Sequence, residues 1–279
     1  MAKIIKEGTG FNWGDLPDKV FPSVAKFFQP VYKYLLPYWI NNAPELAGVK
    51  TALSSEASPI ALDVGCGYGI STRVLSKLFP KAKLVGVDYH AGSVEAARKA
   101  TKEEGVENVD YVCCTAESAD WHDRYAYMCT NQLMALVRRL TTCGATQSRG
   151  SASAVFFFDC FHDMVDPLGA AKQAFAALKS EGGYVVLIEP LAADEAGIEN
   201  ALKVSVRRAL SFPPFPPPQK KIAILLFDFS FSGSSRFCAN VHVLLYPLWP
   251  GPRWKGCCTR YYNQPFSRPI HRSIMYALW

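Results

Sequence analysis

Several things are missing from this 279-residue sequence. No apolar run approaches the roughly 18 residues that a membrane-spanning helix requires. The longest candidate, Ile222 to Phe231, is short and interrupted by Asp228, so no membrane partner is expected. Met1 to Gly10 is charged and then polar, without the apolar stretch of a secretory leader. That predicts an intracellular, cytoplasmic protein. There is no C-x-x-C: the nine cysteines are scattered, with vicinal pairs at Cys113-Cys114 and Cys257-Cys258. This is neither a zinc spacing nor a disulfide framework. Acids are absent from Tyr125 to Ser153, and residues 200–279 hold only Asp228 against 11 Lys/Arg. The tail is therefore +10, while residues 1–199, with 19 Lys/Arg and 23 Asp/Glu, are −4. Its basic residues are dispersed among Pro, Phe, Ser and Cys and make no helical stripe. The asymmetry therefore does not by itself point to nucleic acid.

What is present is a globular composition, 49% hydrophobic and 19% charged, with a clear alternation of elements. Between Phe11 and Leu53, apolar residues recur at spacings near three and four, predicting one or two amphipathic helices. Such a segment, residues 1–56, would pack on a core and lid a pocket. Pro59 to Val64 reads as a buried parallel strand. Ser71 to Phe79 reads as an amphipathic helix, Leu84 to Val87 as a second strand ending at Asp88, and Gly92 to Glu104 as a helix. In that helix Ser93 is the candidate cap and Glu95/Lys99 a candidate ion pair. Val109 to Cys113 and residues 154–159 are further strands. Asp166-Pro167 opens a helix by capping, and Tyr184 to Ile188 is a fifth strand. This rhythm predicts an α/β fold with a doubly wound, mostly parallel sheet, spanning residues 57–199. Residues 125–153 read as an irregular insertion, although Met134 to Leu140 could form a helix. Residues 200–279 read as an atypical basic tail, broken by Pro213-Pro214 and Pro216 to Pro218, with a candidate hairpin over 222–246.

The chemistry concentrates at the strand ends. Leu62-Asp63-Val64-Gly65-Cys66-Gly67-Tyr68-Gly69 closes the first strand with the spacing G-x-G-x-G. A dinucleotide fingerprint needs G-x-G-x-x-G, and Ile70 stands at the third glycine position. Asp63, just before the glycines, would repel a pyrophosphate but attract the amino group of a methionine moiety. Asp88, nineteen residues after Gly69, is placed to accept hydrogen bonds from ribose hydroxyls. Tyr89 could pack on an adenine face, and Thr115-Ala116-Glu117 would border the adenine.

These residues resemble the class I S-adenosylmethionine-dependent methyltransferases. Ala61 to Gly69 looks like the family's first motif and Val85-Gly86-Val87-Asp88-Tyr89 like its second. Phe158 to Pro167, followed by Val186 to Pro190, is similar to a bacterial and fungal group acting on small molecules. The resemblance implies a Rossmann-like methyltransferase fold and S-adenosyl-L-methionine as cofactor. It implies cofactor contacts from Asp63, Gly65, Cys66, Gly67, Gly69, Asp88, Tyr89, Thr115, Ala116, Glu117 and Asp159. It places Asp159 and His162 toward the transferred methyl, with His162 as the candidate base. Where the family usually carries an acid before the alanine of the strand-three corner, this chain has Thr115. No metal is expected: Asp166 is explained as a helix cap, and no second cluster completes an oxygen-ligand set.

Enzymes that methylate amino groups of DNA or glutamine carry an Asn/Asp-Pro-Pro-Tyr/Phe motif after the fourth strand. Here that position reads Asp159-Cys160-Phe161-His162, and the look-alike Ser211 to Phe215 lies elsewhere in the chain. A small-molecule acceptor is therefore expected rather than nucleic acid. Two other readings stay open: a degenerate, non-catalytic cofactor-binding protein, and an NAD-dependent oxidoreductase.

Overall fold

The computed structural model describes residues 13–118 and 150–190 and, as backbone, the strands at 221–232, 236–246 and 260–262. Residues 125–149 of the expected insertion 125–153, with its candidate helix, and the proline run after 200 lie outside the described residues. A 3-10 turn at Trp13–Asp15 leads into α1 (Val20–Pro30), a π turn at Val31–Leu35, α2 (Leu36–Asn42) and α3 (Ala47–Ser55). The core then alternates as β1 (Ile60–Val64), α4 (Ile70–Leu78), β2 (Lys83–Asp88), α5 (Ala91–Glu103), β3 (Val109–Cys113), β4 (Ala154–Phe158), α6 (Pro167–Ala177) and β5 (Tyr184–Pro190). Strands β6 (Lys221–Ser232), β7 (Arg236–Tyr246) and β8 (Arg260–Tyr262) follow.

The strands form one sheet in the order β3-β2-β1-β4-β5-β6-β7-β8. Strands β1 to β6 pair in parallel, while β7 and β8 join antiparallel at the edge. Where a hairpin was expected over 222–246, β6 and β7 pair from Ile222↔Tyr246 to Phe231↔Phe237. Strand β6 in turn extends β5 in register, Tyr184↔Lys221 through Pro190↔Phe227, so the basic tail supplies sheet at the level of the backbone.

Both faces of β1 to β5 are covered, which explains their nearly continuous apolar sequences. The period of two divides them. Ala61, Phe156, Phe158, Val186 and Ile188 pack with Leu36, Trp39, Ile40, Leu46, Val49 and Leu53 of the N-terminal helices and with Leu75 and Val94. Leu62, Val64, Val155, Phe157, Val185 and Leu187 pack instead against Ala170, Ala174 and Phe175 of α6. The strand order reverses at β1, which pairs with β2 on one side and β4 on the other. In an open α/β sheet, the crevice at this switch point, beyond the carboxyl ends of the strands, is where ligands bind.

Local sequence explains the helix ends. Pro30 lacks an N–H and crowds the preceding turn. The helix widens there, and Leu36 N donates to Val31 O, five residues back. Asp166 caps α6 as expected, accepting from Gly169 N at 2.8 Å. Helix α5 departs from expectation: its cap is His90, whose Nδ1 accepts from Ser93 N at 3.2 Å. Its ion pairs are Glu95–Arg98 and Lys99–Glu103 rather than Glu95–Lys99.

Candidate functional site

A cavity of about 840 Å³ opens at the switch point. The β1–α4 loop, the tips of β2, β3 and β4, and the N-terminal helices wall it. Of the expected cofactor residues, Gly65, Cys66, Gly67, Asp88, Tyr89, Thr115, Ala116, Glu117 and Asp159 all line it. Asp63, Gly69 and His162 do not.

The glycine loop is held almost entirely by its own protein. Gly65 N and Cys66 N both donate to Val87 O, at 2.7 and 3.1 Å, and Gly69 N donates to Cys66 O at 2.8 Å. Gly67 N donates to Asp88 Oδ2 at 2.8 Å. Gly67 has φ 51°, a left-handed conformation that favours glycine, and a Cβ there would enter open space. The loop thus leaves a cradle at Gly67. Gly69, also left-handed at φ 65°, is required for another reason: a Cβ would collide with the Tyr111 hydroxyl at 2.3 Å. Its role is to close the turn, not to line the cavity.

Asp63 is fully buried at the end of β1. Its Oδ2 accepts from Ser71 Oγ at 2.7 Å and Thr72 Oγ1 at 2.6 Å, so it ties the loop to the first turn of α4. Its Oδ1 is buried without a partner among the described residues. Burial pushes its pKa up to about 6, opposed by the hydroxyls of Thr72 and Ser71. Asp88 accepts from Gly67 N and, through Oδ1, from His90 N at 2.9 Å. Burial raises its pKa, against the pull of those two amides.

The β4–α6 turn is arranged differently. Asp159 has φ 51°, the one positive φ among described non-glycine residues. Its carboxylate accepts no hydrogen bond among the described residues. Burial, then the neighbouring Glu189, push its pKa up to about 7. Glu189, buried at the end of β5, holds the turn: Oε1 accepts from Cys160 N at 3.2 Å and Phe161 N at 2.9 Å. Its Oε2 lies 2.5 Å from His162 Nδ1. Burial alone would favour a neutral imidazole, but the Glu189 carboxylate overcomes it and raises the His162 pKa to about 9. The ring does not itself line the cavity, and its Nε2 lies 3.5 Å from Oδ1 of Asp163, which does. The expected base thus has a carboxylate beside each ring nitrogen.

Two residues escaped the sequence reading. Glu189 sits inside a quoted motif, but its partners are 27 to 29 residues away. Tyr32, in the π turn, lines the cavity with its ring 6.0 Å from both Phe28 and Phe158. Burial and then the charge of Asp159 hold its phenol well above its ordinary pKa. Nothing in the helical periodicity distinguishes it from a packing residue. The N-terminal segment is fastened to the β2 tip: Gly14 N donates to Tyr89 Oη at 2.6 Å, and Phe21 stacks on His90 at 3.9 Å.

Residues 61–145 match the methyltransferase domain family. Over that segment the chain is similar to class I S-adenosylmethionine-dependent methyltransferases. It is 32% identical over 97 residues, 34% of its length, to a tRNA (guanine-N(7)-)-methyltransferase of Rubrobacter xylanophilus. It is 33% identical over 79 residues, 28% of its length, to a malonyl-[acyl-carrier protein] O-methyltransferase of Acetivibrio thermocellus. The chain covers 41% and 27% of those two proteins. Among solved structures it is similar to geranyl diphosphate C-methyltransferase of Streptomyces coelicolor, with TM-score 0.35 and 15% identity, covering 52% of this chain and 44% of that one. Among the described residues no helix is long and apolar enough to cross a membrane.

Proposed function

We propose that this chain transfers the methyl group of S-adenosyl-L-methionine to a small organic acceptor held between the N-terminal helices and the β4–α6 turn. One observation carries the cofactor reading. The N–H groups of Gly65, Cys66, Gly67 and Gly69 are all engaged within the protein, so those four are not offered to a pyrophosphate, as a dinucleotide would require. The residues present fit the sulfonium cofactor instead. The Gly67 cradle admits close approach, Asp88 keeps acceptor capacity for ribose hydroxyls, and the unpartnered Asp63 Oδ1 offers a carboxylate oxygen beneath the loop. Thr115, Ala116, Glu117 and Tyr89, which line the same cavity, would hold the adenine end.

When bound, the cofactor supplies an activated methyl group on a sulfonium. The chain's own part is to align the acceptor and exclude water. Phe21, Phe28, Tyr32 and Phe158 wall the acceptor side with apolar surface. Asp159, whose pKa stands near 7, takes a proton from a protic acceptor. Glu189 keeps the turn that carries Asp159 in place and occupies His162. Among the described residues no Lys or Arg lines the cavity, whereas five carboxylates do. That balance argues against a polyanionic acceptor such as tRNA, despite the name of one relative.

Isothermal titration tests the reading. S-adenosylmethionine is expected to bind in the micromolar range, NAD not at all, and Gly67→Val is expected to abolish binding while still unfolding cooperatively. NAD binding, or no binding of either by a cooperatively folded protein, overturns it.

A further inference from the structure

We infer that the acceptor is a planar aromatic molecule methylated on a phenolic hydroxyl, and that the Tyr32 hydroxyl and the Asp159 carboxylate hold that hydroxyl as donor and acceptor. The inference rests on the methyltransferase reading and specifies its acceptor. The cavity wall is aromatic: Trp13, Phe21, Phe28, Tyr32 and Phe158 all line it. Phe28 and Tyr32 have centroids 6.0 Å apart and planes 26° apart, and Phe158 meets Tyr32 at 6.0 Å and 62°. Rings offered at stacking and edge-on angles favour a further ring over an aliphatic group of similar size. At about 840 Å³ the cavity lies high in the range of small-molecule sites, ~300–1,000 Å³, with room for a ring beside the cofactor.

Two polar groups are set into this wall, one from the π turn and one from the β4 tip. The Tyr32 ring is half-buried with its hydroxyl end enclosed by protein, yet that hydroxyl makes no hydrogen bond among the described residues. The Asp159 carboxylate accepts none either. After burial, the charge of Asp159 is the largest influence on the Tyr32 phenol, so the two groups bear on the same space. Enclosed polar groups are nearly always paired, and here the pairing falls to whatever fills the cavity. A phenolic hydroxyl satisfies both groups at once, accepting from Tyr32 and donating to Asp159.

The proton balance selects a phenol over an aliphatic alcohol. A phenol of pKa about 10 gives its proton to a carboxyl group near 7 across a gap of only about three pH units. An alcohol as weakly acidic as water, at about 15.7, does not. Asp159 takes the phenolic proton while Tyr32 fixes the direction of the oxygen. That oxygen bonds to the methyl carbon as the carbon–sulfur bond breaks, and the bond's electron pair stays on sulfur. The products are the aryl methyl ether and S-adenosylhomocysteine, and the proton passes from Asp159 to solvent.

The test uses the full chain saturated with S-adenosylhomocysteine, checked by its own titration. Three probes of matched size are titrated at pH 8, where Asp159 is mostly ionised: 4-ethylphenol, 4-ethylanisole and 4-ethylcyclohexanol. The phenol is expected to bind at least about tenfold tighter than the ether, which cannot donate to the carboxylate. It is expected to bind at least about threefold tighter than the cyclohexanol, which has no flat face to lay on the rings. Tyr32→Phe keeps the ring and is expected to weaken the phenol about fivefold, with S-adenosylhomocysteine bound as in the native chain. A cofactor-saturated chain that binds the three alike, favours the ether or the cyclohexanol, or binds none overturns the inference and leaves the cofactor reading standing. So does phenol affinity unchanged in Tyr32→Phe. Failure to bind S-adenosylhomocysteine removes both.

Discussion

At the tips of β2 and β4 the sheet presents two carboxylates, Asp88 and Asp159, to one cavity, and the surrounding chain holds them in opposite ways. Asp88 accepts two backbone amides, Gly67 N and His90 N, so its geometry is fixed before any ligand arrives. Asp159 accepts none among the described residues, sits on a left-handed backbone and is crowded by Glu189. Burial raises the pKa of both. The difference lies in the donors. Asp88 is fixed as an acceptor by two amides that favour its charged form, whereas nothing among the described residues donates to Asp159.

The contrast is most severely tested at Glu189, the group that shapes the β4 side. Glu189→Gln removes one partner of a buried ion pair and is expected to cost about 3 kcal/mol, the low end for such a deletion, measured by urea unfolding. The sign of the pH dependence follows from His162, whose pKa is raised from 6.5 to about 9. Its contribution is fully present below about pH 6.5 and fades as pH rises through 9. That decline is expected in the native chain and absent in Glu189→Gln.

If Asp88 holds the ribose as proposed, Asp88→Ala removes two charge-assisted hydrogen bonds, each about 1.5 kcal/mol. S-adenosylhomocysteine affinity is therefore expected to fall about 100-fold by titration. An unchanged affinity would show that the β2 tip is structural. Asp159→Asn leaves a side chain that tolerates the left-handed backbone, so its effect is read on rate. With a protic acceptor, turnover is expected to rise with pH through about 7 as Asp159 loses its proton. The variant is expected to flatten that limb and lower the plateau about 100-fold, the low end for a general base. A variant that keeps the native pH limb would erase the distinction between the two strand tips. The smallest effect is expected at Asp63→Asn, whose amide oxygen still accepts from α4. Titration is expected to give less than about a threefold loss in cofactor affinity, and a larger loss would assign the buried Oδ1 a direct part in binding.

The order and type of the core elements were legible because motif and periodicity agree there. Apolar runs end in Asp63, Asp88 and Asp159, and glycines follow the first of them. The cavity wall was legible wherever it came from a strand tip. What escaped depends on contacts across distance. Glu189 earns its place only through a turn formed nearly thirty residues earlier, and Tyr32 through a π turn that periodicity reads as ordinary helix. His162 shows the same limit, since a histidine after a strand gives no hint of a carboxylate partner 27 residues away. His90 displaced Ser93 as the cap because an imidazole nitrogen can accept an amide as Asp or Asn does.

The fastening of the N-terminal segment to Tyr89 and His90 makes the two halves of the cavity thermodynamically linked. Asp88 at the cofactor half also holds His90 N. His90 carries Phe21 on its ring, and Tyr89 carries Gly14 on its hydroxyl. A ligand that steadies the β2 tip therefore steadies the wall against which the acceptor packs. By reciprocity a ligand against the N-terminal wall would tighten one at the β2 tip by the same factor, a coupling carried by three consecutive residues, Asp88, Tyr89 and His90.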